Sequence, residues 1–590
     1  MRRTCKRDCL RQVLSSTFLM LAFSAVAAAQ ITSTIQGYIA DPNGASVPDA
    51  KVAAINEETG VSRSAASATD GYYRIPDLLA GTYRMTVEKS GFKTFVRSGI
   101  PVTSGTVIGQ NFTLELGAIT ESVTVTTEGL QVETQTARIA DVVSERNIDS
   151  LPMLGRTPVS LVLSSPGITG KFESLGGSYC CDAFSVLNSP SVSAGGSEFK
   201  HNWKVDGLSF RYGDGPQWGM AFSPNPDALE EVNVEVSSTS ADTGGMSGPQ
   251  LNLITKGGTN TLHGTAHYLF RNDAVSAVPF RSRREDVPDM YYRLFGGTLG
   301  GPIKKDRLFG FFAYEGRRAR TANSYVALAE TEDFKNYVTS TRPNSIAATL
   351  LQEFPPFRYP TSGLVDLNGD GVADLGEVTV DAPIVQGGRQ FNGRVDYHFP
   401  NGKDRFYGSY WYTRPTQDGS DLRPAFAIDN FVAVHYGNFA HSRAFSPNVL
   451  NEARFGLSHG DADFRNSGAY HVPGIATDDG LSLGNWGWSL DVWQTRVTEL
   501  GDTLSINRGR HGIKLGGGWV DRRLAYQSYL PGDTPEYYFA SIFDFADDKP
   551  YAEYRTLDVA TGEANKTDAV QGQKELYFFV QNTWQIRPNL

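Results

Sequence analysis

Residues 391 to 399 read "FNGRVDYHF" and alternate strictly, with Phe391, Gly393, Val395, Tyr397 and Phe399 on one side of an extended chain and Asn392, Arg394, Asp396 and His398 on the other. An apolar face backed by a face carrying Arg and Asp suits a strand with hydrocarbon on one side and a watery lumen on the other. About ten residues is also the length that a tilted strand needs to cross a bilayer. Comparable segments run over 262–272, 291–301, 307–317, 404–414, 438–445, 449–459, 498–507, 512–523 and 575–584. A soluble sandwich alternates too, so the connections decide. They are short at "PIKKD", "PNGK", "SPN" and "RGRH" and long over 273–290, 318–390, 415–437, 460–497 and 524–574, short and long taking turns along the chain. Outer-membrane barrels join their strands by short periplasmic turns and long outer loops, an asymmetry that a globular sandwich has no reason to keep. The expected fold is therefore mainly β, with residues 261–590 forming the first ten or so strands of an incomplete antiparallel transmembrane barrel.

The start of the chain agrees with export. Arg2, Arg3, Lys6, Arg7 and Arg11 precede an apolar run from Val13 to Ala25 and the small residues "AVAAAQ", which reads as a signal peptide over 1–29, cleaved after Ala29. No other segment reaches the ~18 apolar residues of a membrane helix, so a membrane role must use strands. The formal charge is −10, and it becomes −14 once the leader's five basic and one acidic residues are removed, which excludes nucleic acid as a partner. Cys5 and Cys9 leave with the leader; the adjacent Cys180 and Cys181 are too few for a disulfide scaffold, and either a vicinal disulfide or two thiols fits them.

Between leader and barrel lie two further domains. Residues 30–117 are punctuated by "DPNG", "TDG" and "SG", and in "TYRMTVE" Tyr83, Met85 and Val87 alternate with Thr82, Arg84, Thr86 and Glu88, the pattern of a small β-sandwich with one buried face. The stretches "GYIADPNGASVPDAKV" and "TDGYYRIPDLLAGTYRMTVEKSGF" resemble the carboxypeptidase regulatory-like domain, a transthyretin/Ig-like sandwich without catalytic residues. Residues 118–260 read as a small α+β domain. Their order of "LPMLGRTPVSLVLSSPGI", "KVDG", "ALEEVNVEVSSTSADTGG" and "ITKGGTN" resembles the plug of TonB-dependent outer-membrane receptors of the Oar-like kind, and "YYRLFGGTLGGPIKKDRLFGFFAYEGRR" (Tyr291 to Arg318) resembles the opening strands of the same barrels.

That resemblance implies a receptor in the outer membrane whose plug must be moved by work. The sequence holds no G-x-x-x-x-G-K-[ST] phosphate loop, so the energy would come from a protein partner, TonB in the family, which adds a strand to a short extended segment. The candidate segment is Glu121, Ser122, Val123, Thr124, Val125, Thr126 and Thr127; an ordinary edge strand of either neighbouring domain fits the same residues. The solute stays open among oligosaccharide, siderophore and peptide.

"DLNGDGVADLGE" (Asp366 to Glu377) spaces Asp366, Asn368, Asp370, the carbonyl of Val372, Asp374 and Glu377 as a calcium loop would, with Gly371 at the turn. The prolines of "FPPFRYPTSG" and the β-branched "VTVDAP" deny it EF-hand helices, so the expectation is a weak structural calcium site, roughly 10⁻⁴ to 10⁻³ M, ordering an outer loop. No other cofactor is expected. "GLSHG" (Gly456 to Gly460) matches a nucleophile elbow but lacks the helix that motif requires, and the nine histidines show no H-E-x-x-H spacing, so no catalytic residue is assigned. The rival to a transporter is a non-transporting surface or periplasmic binding protein using the sandwich, with carbohydrate as its candidate ligand; against it, Tyr83 reads as core and Tyr72 and Tyr73 give no visible sugar platform. Because ten lipid-facing strands would leave two open edges, and "ELYFFVQNTWQIRPNL" resembles a mid-barrel strand, the chain is expected to be the front part of a longer receptor.

Overall fold

The computed structural model describes residues 32–584 apart from 119–121, 127–138, 152, 154–155, 173–189, 195–196, 199–201, 210–222, 238–240, 242–248, 278–289, 467–468, 470, 486–490, 529–534, 556, 558–559 and 564–568. The signal peptide, the Cys180–Cys181 pair, and Glu121 and Thr127 lie outside the described residues.

The N-terminal domain is a two-sheet sandwich. Its strands are β1 (Ser33–Ala40), β2 (Lys51–Asn56), β3 (Ser62–Ala66), β4 (Tyr72–Leu78), β5 (Gly81–Glu88), β6 (Thr94–Val102), β7 (Val107–Gly109), β8 (Phe112–Thr113) and β9 (Ser122–Thr126). One sheet runs β4-β1-β7 with β8 also on β1, the other β3-β2-β5-β6-β9. Tyr83, Met85 and Val87 are buried with Ile35, Val52, Tyr73, Ile100 and Phe112, while Arg84 is exposed, as the alternation requires. Each fully buried aliphatic or aromatic side chain contributes roughly 1.5–3 kcal/mol, so one face of alternation suffices to fix the register. The "DPNG" turn closes on itself: Asp41 Oδ1 accepts from Asn43 N at 2.9 Å and Ala45 N at 2.8 Å, and Gly44 takes φ +83°, which a side chain would disfavour. β9 runs parallel to β6, from Thr94↔Ser122 to Ser98↔Thr126, so the sandwich sheet extends past the Gly117 boundary expected from sequence.

The second domain contains β10 (Ile139–Ser144), β11 (Ile168–Phe172), β12 (Pro190–Ala194), β13 (Ser197–Glu198), β14 (Asn202–Val205), β15 (Leu208–Ser209), β16 (Leu229–Ser237) and β17 (Gln250–Thr255), with a short helix at Glu145–Ser150. A mixed sheet β10-β16-β17-β14-β15 forms its centre and β11-β12-β13 a smaller one. Val143, Ile148, Trp203, Val205, Leu229, Val232, Val234 and Leu251 pack together and continue without a break into Phe311, Ala313, Trp411, Val432, Val434 and Tyr436 of the following domain.

That third domain is one large antiparallel sheet. Its elements are β18 (His263–Asn272), β19 (Tyr291–Lys304), β20 (Leu308–Glu330), β21 (Ser362–Val365), β22 (Leu375–His398), β23 (Asp404–Asp418), β24 (Asp429–Ser446), β25 (Val449–Arg465), β26 (Gly474–Thr477), β27 (Ser482–Leu483), β28 (Asp491–Arg508), β29 (His511–Ser528), β30 (Glu536–Phe539), β31 (Ala552–Tyr554) and β32 (Ala569–Trp584). The order β18-β19-β20-β22-β23-β24-β25-β28-β29-β32 contains all ten expected crossings, and among the described residues β18 and β32 do not pair with each other, so the barrel is not closed. Asn392, Arg394 and Asp396 are buried against the second domain while Val395 and Phe399 are exposed on the other face, the two-sided character read from "FNGRVDYHF".

The strands are longer than the expected ten-residue segments, reaching 23 residues in β20 and 24 in β22. Alternation of apolar and polar faces is imposed only by hydrocarbon; past it the ladder continues without leaving that pattern. Four of the five outer connections are correspondingly shorter than expected, while 273–290 keeps its expected bounds, and their described residues include folded elements. Helices Glu332–Thr341, Ile346–Glu353 and Ile542–Ala546 are capped by Thr331, Ser345 and Ser541, whose hydroxyls accept from Phe334 N, Ala348 N and Asp544 N. With a small sheet β27-β26-β30-β31 they enclose a core of Phe334, Val338, Leu351, Phe426, Ile475, Phe539 and Ile542. Beneath this cap the buried Glu330 and Arg423 pair, and Arg423 Nη1 donates to Phe354 O at 2.5 Å.

Candidate functional site

The second domain sits in the concave side of the large sheet as a plug, and buried polar groups hold it there. Its "KVDG" stretch forms the β14–β15 hairpin, whose tip is Asp206 at φ +48°, a conformation Asp tolerates better than most residues. Asp206 accepts from Thr255 N at 2.9 Å and from Thr255 Oγ1 at 2.7 Å. Arg394 on β22 donates through Nη1 to Thr255 O at 2.8 Å and Thr255 Oγ1 at 2.7 Å, and grips Asp396 with Nε and Nη2, both at 2.8 Å. Neighbouring strands close on the same hairpin: Tyr436 Oη donates to Val205 O at 3.0 Å, Asn438 Nδ2 to Val205 O at 3.0 Å, and Ser209 N to Glu499 Oε2 at 3.1 Å. Burial pushes the Asp206 carboxyl above its ordinary value, against the pull of Arg394 and Thr255. The sequence reading placed Arg394 and Asp396 on the lumen side; that their partner would be the Asp of "KVDG" carried no signal in spacing.

A second contact joins Arg156, in the "LPMLGR" stretch, to the sheet. Arg156 adopts φ +55°, a strained conformation for a long side chain, and Nη2 pairs with Asp227 Oδ1 at 2.7 Å while Nε faces Glu315 Oε2 of β20 at 3.6 Å. His267 of β18 lies 2.8 Å from Asp227 Oδ2 and 3.4 Å from Glu315 Oε2. Burial raises the Asp227 carboxyl, but the hydrogen bond to His267 and the charge of Arg156 outweigh it and hold it down at about 2. Gly258 of "ITKGGTN" lets the chain leave the plug: a Cβ there would lie 2.5 Å from Gly310 O and 2.7 Å from Gly301 O, so only glycine fits against β19 and β20.

The sandwich docks at the short-turn end of the sheet. Arg63 Nη1 donates to Gly402 O at 2.8 Å in the "PNGK" turn, and the buried Asp77 is shared by Arg63 Nη2 at 2.6 Å and Arg405 Nη2 of β23 at 3.3 Å. Asn260 Nδ2 bridges Thr59 O at 2.6 Å and Asp306 Oδ1 of the "PIKKD" turn at 2.8 Å. The sandwich also grips the plug: Ser104 N donates to Glu231 Oε1 at 2.7 Å, and Asn233 Nδ2 donates to Ser104 O at 2.8 Å. Burial pushes the carboxyls of Glu230 and Glu231 up to about 7, with Glu145 and Glu58 adding to the rise at Glu230. Sandwich, plug and sheet together line a partly open cavity of about 460 Å³, with Asn56, Arg63, Tyr83, Lys256, Arg394 and His398 among its walls.

The other sequence-derived candidates are placed as follows. Ser122 to Thr126 are strand β9 of the sandwich, so a partner could pair with the β6 side of this segment only after it has left β6. The Asp366–Glu377 loop lies on the outer side between β21 and β22, with no helix on either flank. Asp366 accepts from Gly369 N at 2.7 Å and Gly371 N at 2.8 Å, Asn368 Oδ1 from Asp370 N at 2.8 Å, Asp370 Oδ1 from Val372 N at 2.8 Å, and Asp374 Oδ2 from Leu367 N at 2.9 Å. Backbone amides, Gly371 first, hold the Asp366 carboxyl below its ordinary value, while burial raises Asp374. Glu377 is drawn into the β22 ladder opposite Leu328 and Ser362. Among the described residues no three His, Cys, Asp or Glu side chains are gathered at metal-binding distance. Ser458 of "GLSHG" lies buried in the middle of β25, laddered on both sides, where no strand-to-helix elbow exists.

A sheet that is apolar outside, charged inside and filled by a plug defines an outer-membrane barrel protein. The chain belongs to the outer membrane beta barrel domain family, which matches residues 254–590, more than half of its length, and it lies in the outer membrane. A carboxypeptidase regulatory-like domain matches residues 34–115. The chain is similar to the TonB-dependent transporter Oar of Myxococcus xanthus, 28% identical over 317 residues that cover 52% of this chain and 29% of that protein. Among solved structures it is similar to the outer membrane transporter YddB of Escherichia coli (11% identity, 76% of this chain and 55% of that one, TM-score 0.48) and to a variant of the ferric enterobactin receptor PfeA of Pseudomonas aeruginosa (12%, 77% and 56%, TM-score 0.45).

Proposed function

We propose that the chain forms the front portion of a TonB-dependent receptor that binds a solute at its outer loops and admits it past the plug. The observation that carries this reading is the plug itself, seated in the sheet by buried ion and hydrogen-bond contacts centred on Asp206 and Arg394. Such contacts are directional and close-range, so a modest displacement of the hairpin breaks them together. The energising partner is a TonB-type protein that pairs with Ser122–Thr126. Because this strand pairs with β6, and the sandwich in turn holds Glu231 and Asn233 of the plug, a pull on it loads the sandwich and plug in series. Oligosaccharide, siderophore and peptide are the solute classes to test.

Cysteines at Val96 and Thr124, opposite each other across β6 and β9, supply the test. Cells carrying the receptor are grown on ferric siderophores, peptides or oligosaccharides as sole iron, nitrogen or carbon source. Oxidation is expected to stop receptor-dependent growth while solute binding at the surface persists, and reduction to restore it. Growth indifferent to the lock would rule out this segment as the point of pull, and growth independent of the receptor on every source would remove the transport reading in favour of a binding protein.

The Asp366–Glu377 loop is proposed as an accessory calcium site that orders the outer connection. Its support is the sequence spacing and the amide contacts that already curl the loop around Asp366. Millimolar calcium should protect the loop from proteolysis, with half-protection at roughly 10⁻⁴ to 10⁻³ M, and Asp366→Ala with Asp370→Ala should abolish the effect.

A further inference from the structure

The lipid-facing side of the sheet carries cations that neither plug nor lumen uses. Cross-strand register sets Phe391, Tyr412, His435, His459, Arg496 and Arg523 side by side at one height, from β22 to β29. One step higher, Arg389 lies opposite Arg414. Their positions alternate with those of Arg394, Tyr436, Arg454 and Glu499, which face the plug, so these side chains point outward. Arg389, Arg414, Arg496 and Arg523 are all exposed. Arg523 is 3.3 Å from Asp521 and His459 is 3.2 Å from Asp461, but among the described residues no carboxylate pairs with Arg389, Arg414 or Arg496. Aromatic rings edge the row: Tyr410 Oη lies 2.6 Å from His435 Nδ1, and Arg389 sits 6.0 Å over the ring of Tyr412.

Height identifies the surroundings. Directly below the row the outward positions of β22 to β25 are apolar, with Phe406, Phe439 and Phe455 stacked across three strands; polar outward residues return nearer the short turns, at His441, Arg443 and Asn451, and on β28 and β29 at Thr498, Asp502 and Asp521. His435 and His459 stand eleven to thirteen residues above the short turn at Asn448. At about 3.3 Å per residue and a tilt of about 40°, that is roughly 30 Å, the thickness of a hydrocarbon core. A guanidinium there is destabilising at the bilayer centre and nearly neutral at its interface, so these arginines mark the layer where outer-leaflet head groups begin. Guanidinium groups bind phosphate oxygens in forked, charge-assisted pairs, and five strand spacings of about 4.8 Å give a band roughly 24 Å wide.

We propose that this outward band holds the phosphate groups of the outer-leaflet glycolipid, fixing the receptor's height in the membrane. The complete receptor purified from outer membranes would be titrated in detergent with diphosphorylated lipid A and with its dephosphorylated form, and bound lipid counted by native mass spectrometry. The phosphorylated lipid should bind at least about tenfold more tightly, and Arg389→Gln with Arg414→Gln and Arg496→Gln should remove that preference while leaving the lipid-free melting temperature in place. Equal retention of both lipids, or an unchanged preference in the folded triple variant, would overturn the proposal. Displacement of the lipid by inorganic phosphate alone would also overturn it, by showing a simple anion site. Should the variant not fold, the comparison of the two lipids on the unaltered protein decides. A failure of the barrel reading itself would show separately, as absence of the complete receptor from the outer-membrane fraction.

Discussion

Single residues decide how firmly the plug is held. Asp206 satisfies both the amide and the hydroxyl of Thr255 in a site closed to water, with Arg394 beside it. Asp206→Ala leaves those donors and the guanidinium short of a buried acceptor, a loss of about 3–5 kcal/mol, so the variant should release its plug at lower denaturant and admit large antibiotics such as vancomycin that the intact receptor excludes. Glu231 sets a pH dependence. Its carboxyl is raised to about 7 in the folded protein against an ordinary value near 4.5, so it favours the docked form fully only below about pH 4.5 and loses that contribution as pH rises through about 7. Docking of sandwich on plug, followed by hydrogen exchange at the Ser104 amide, should be tighter at pH 5 than at pH 8, and Glu231→Gln should reduce that difference, the remainder belonging to Glu230; a dependence unchanged in the variant would assign it elsewhere.

Elements were legible in the sequence to the extent that a solvent boundary wrote a pattern into them. The ten crossings, the sandwich strand at "TYRMTVE" and the hairpins at "PIKKD", "PNGK", "SPN" and "RGRH" all follow from alternation and turn residues, because lipid or a core imposes period two. The outer helices left a fainter trace. Thr331 before "EDF", Ser345 before "IAA" and Ser541 before "IFD" are each a cap, yet they sit in stretches where no long apolar period draws attention to a helix of ten residues or fewer. Thr331→Ala should cost about 1 kcal/mol and lower the hydrogen-exchange protection of helix Glu332–Thr341 while leaving β20 untouched. The plug contacts were not legible, because Asp206 and Arg394 are separated by 188 positions and meet only once the sheet curves around the hairpin. That Ser122–Thr126 form an edge strand of a neighbouring domain was one of the two readings open in the sequence, but their partner β6 was hidden, since parallel partners leave no turn between them.

At the scale of the whole molecule, among the described residues β18 and β32 each present an unpaired edge in the region that faces lipid, and open edges do not persist in hydrocarbon. The 590-residue chain refolded alone into detergent micelles should therefore show no heat-modifiable band on gel electrophoresis; a compact band that shifts on boiling would mean that these strands close by themselves. The chain spans about 29% of the length of Oar, the curated relative it matches. The outer cap carries one more consequence. Its core joins Phe334 and Leu351 to Phe426, Ile475 and Phe539, residues scattered over more than two hundred positions. An immune system meeting this surface therefore sees patches assembled from several separate stretches of chain, so antibodies raised against the native cap should fail to recognise any single loop peptide, and peptide vaccines cut from one loop should miss the folded protein.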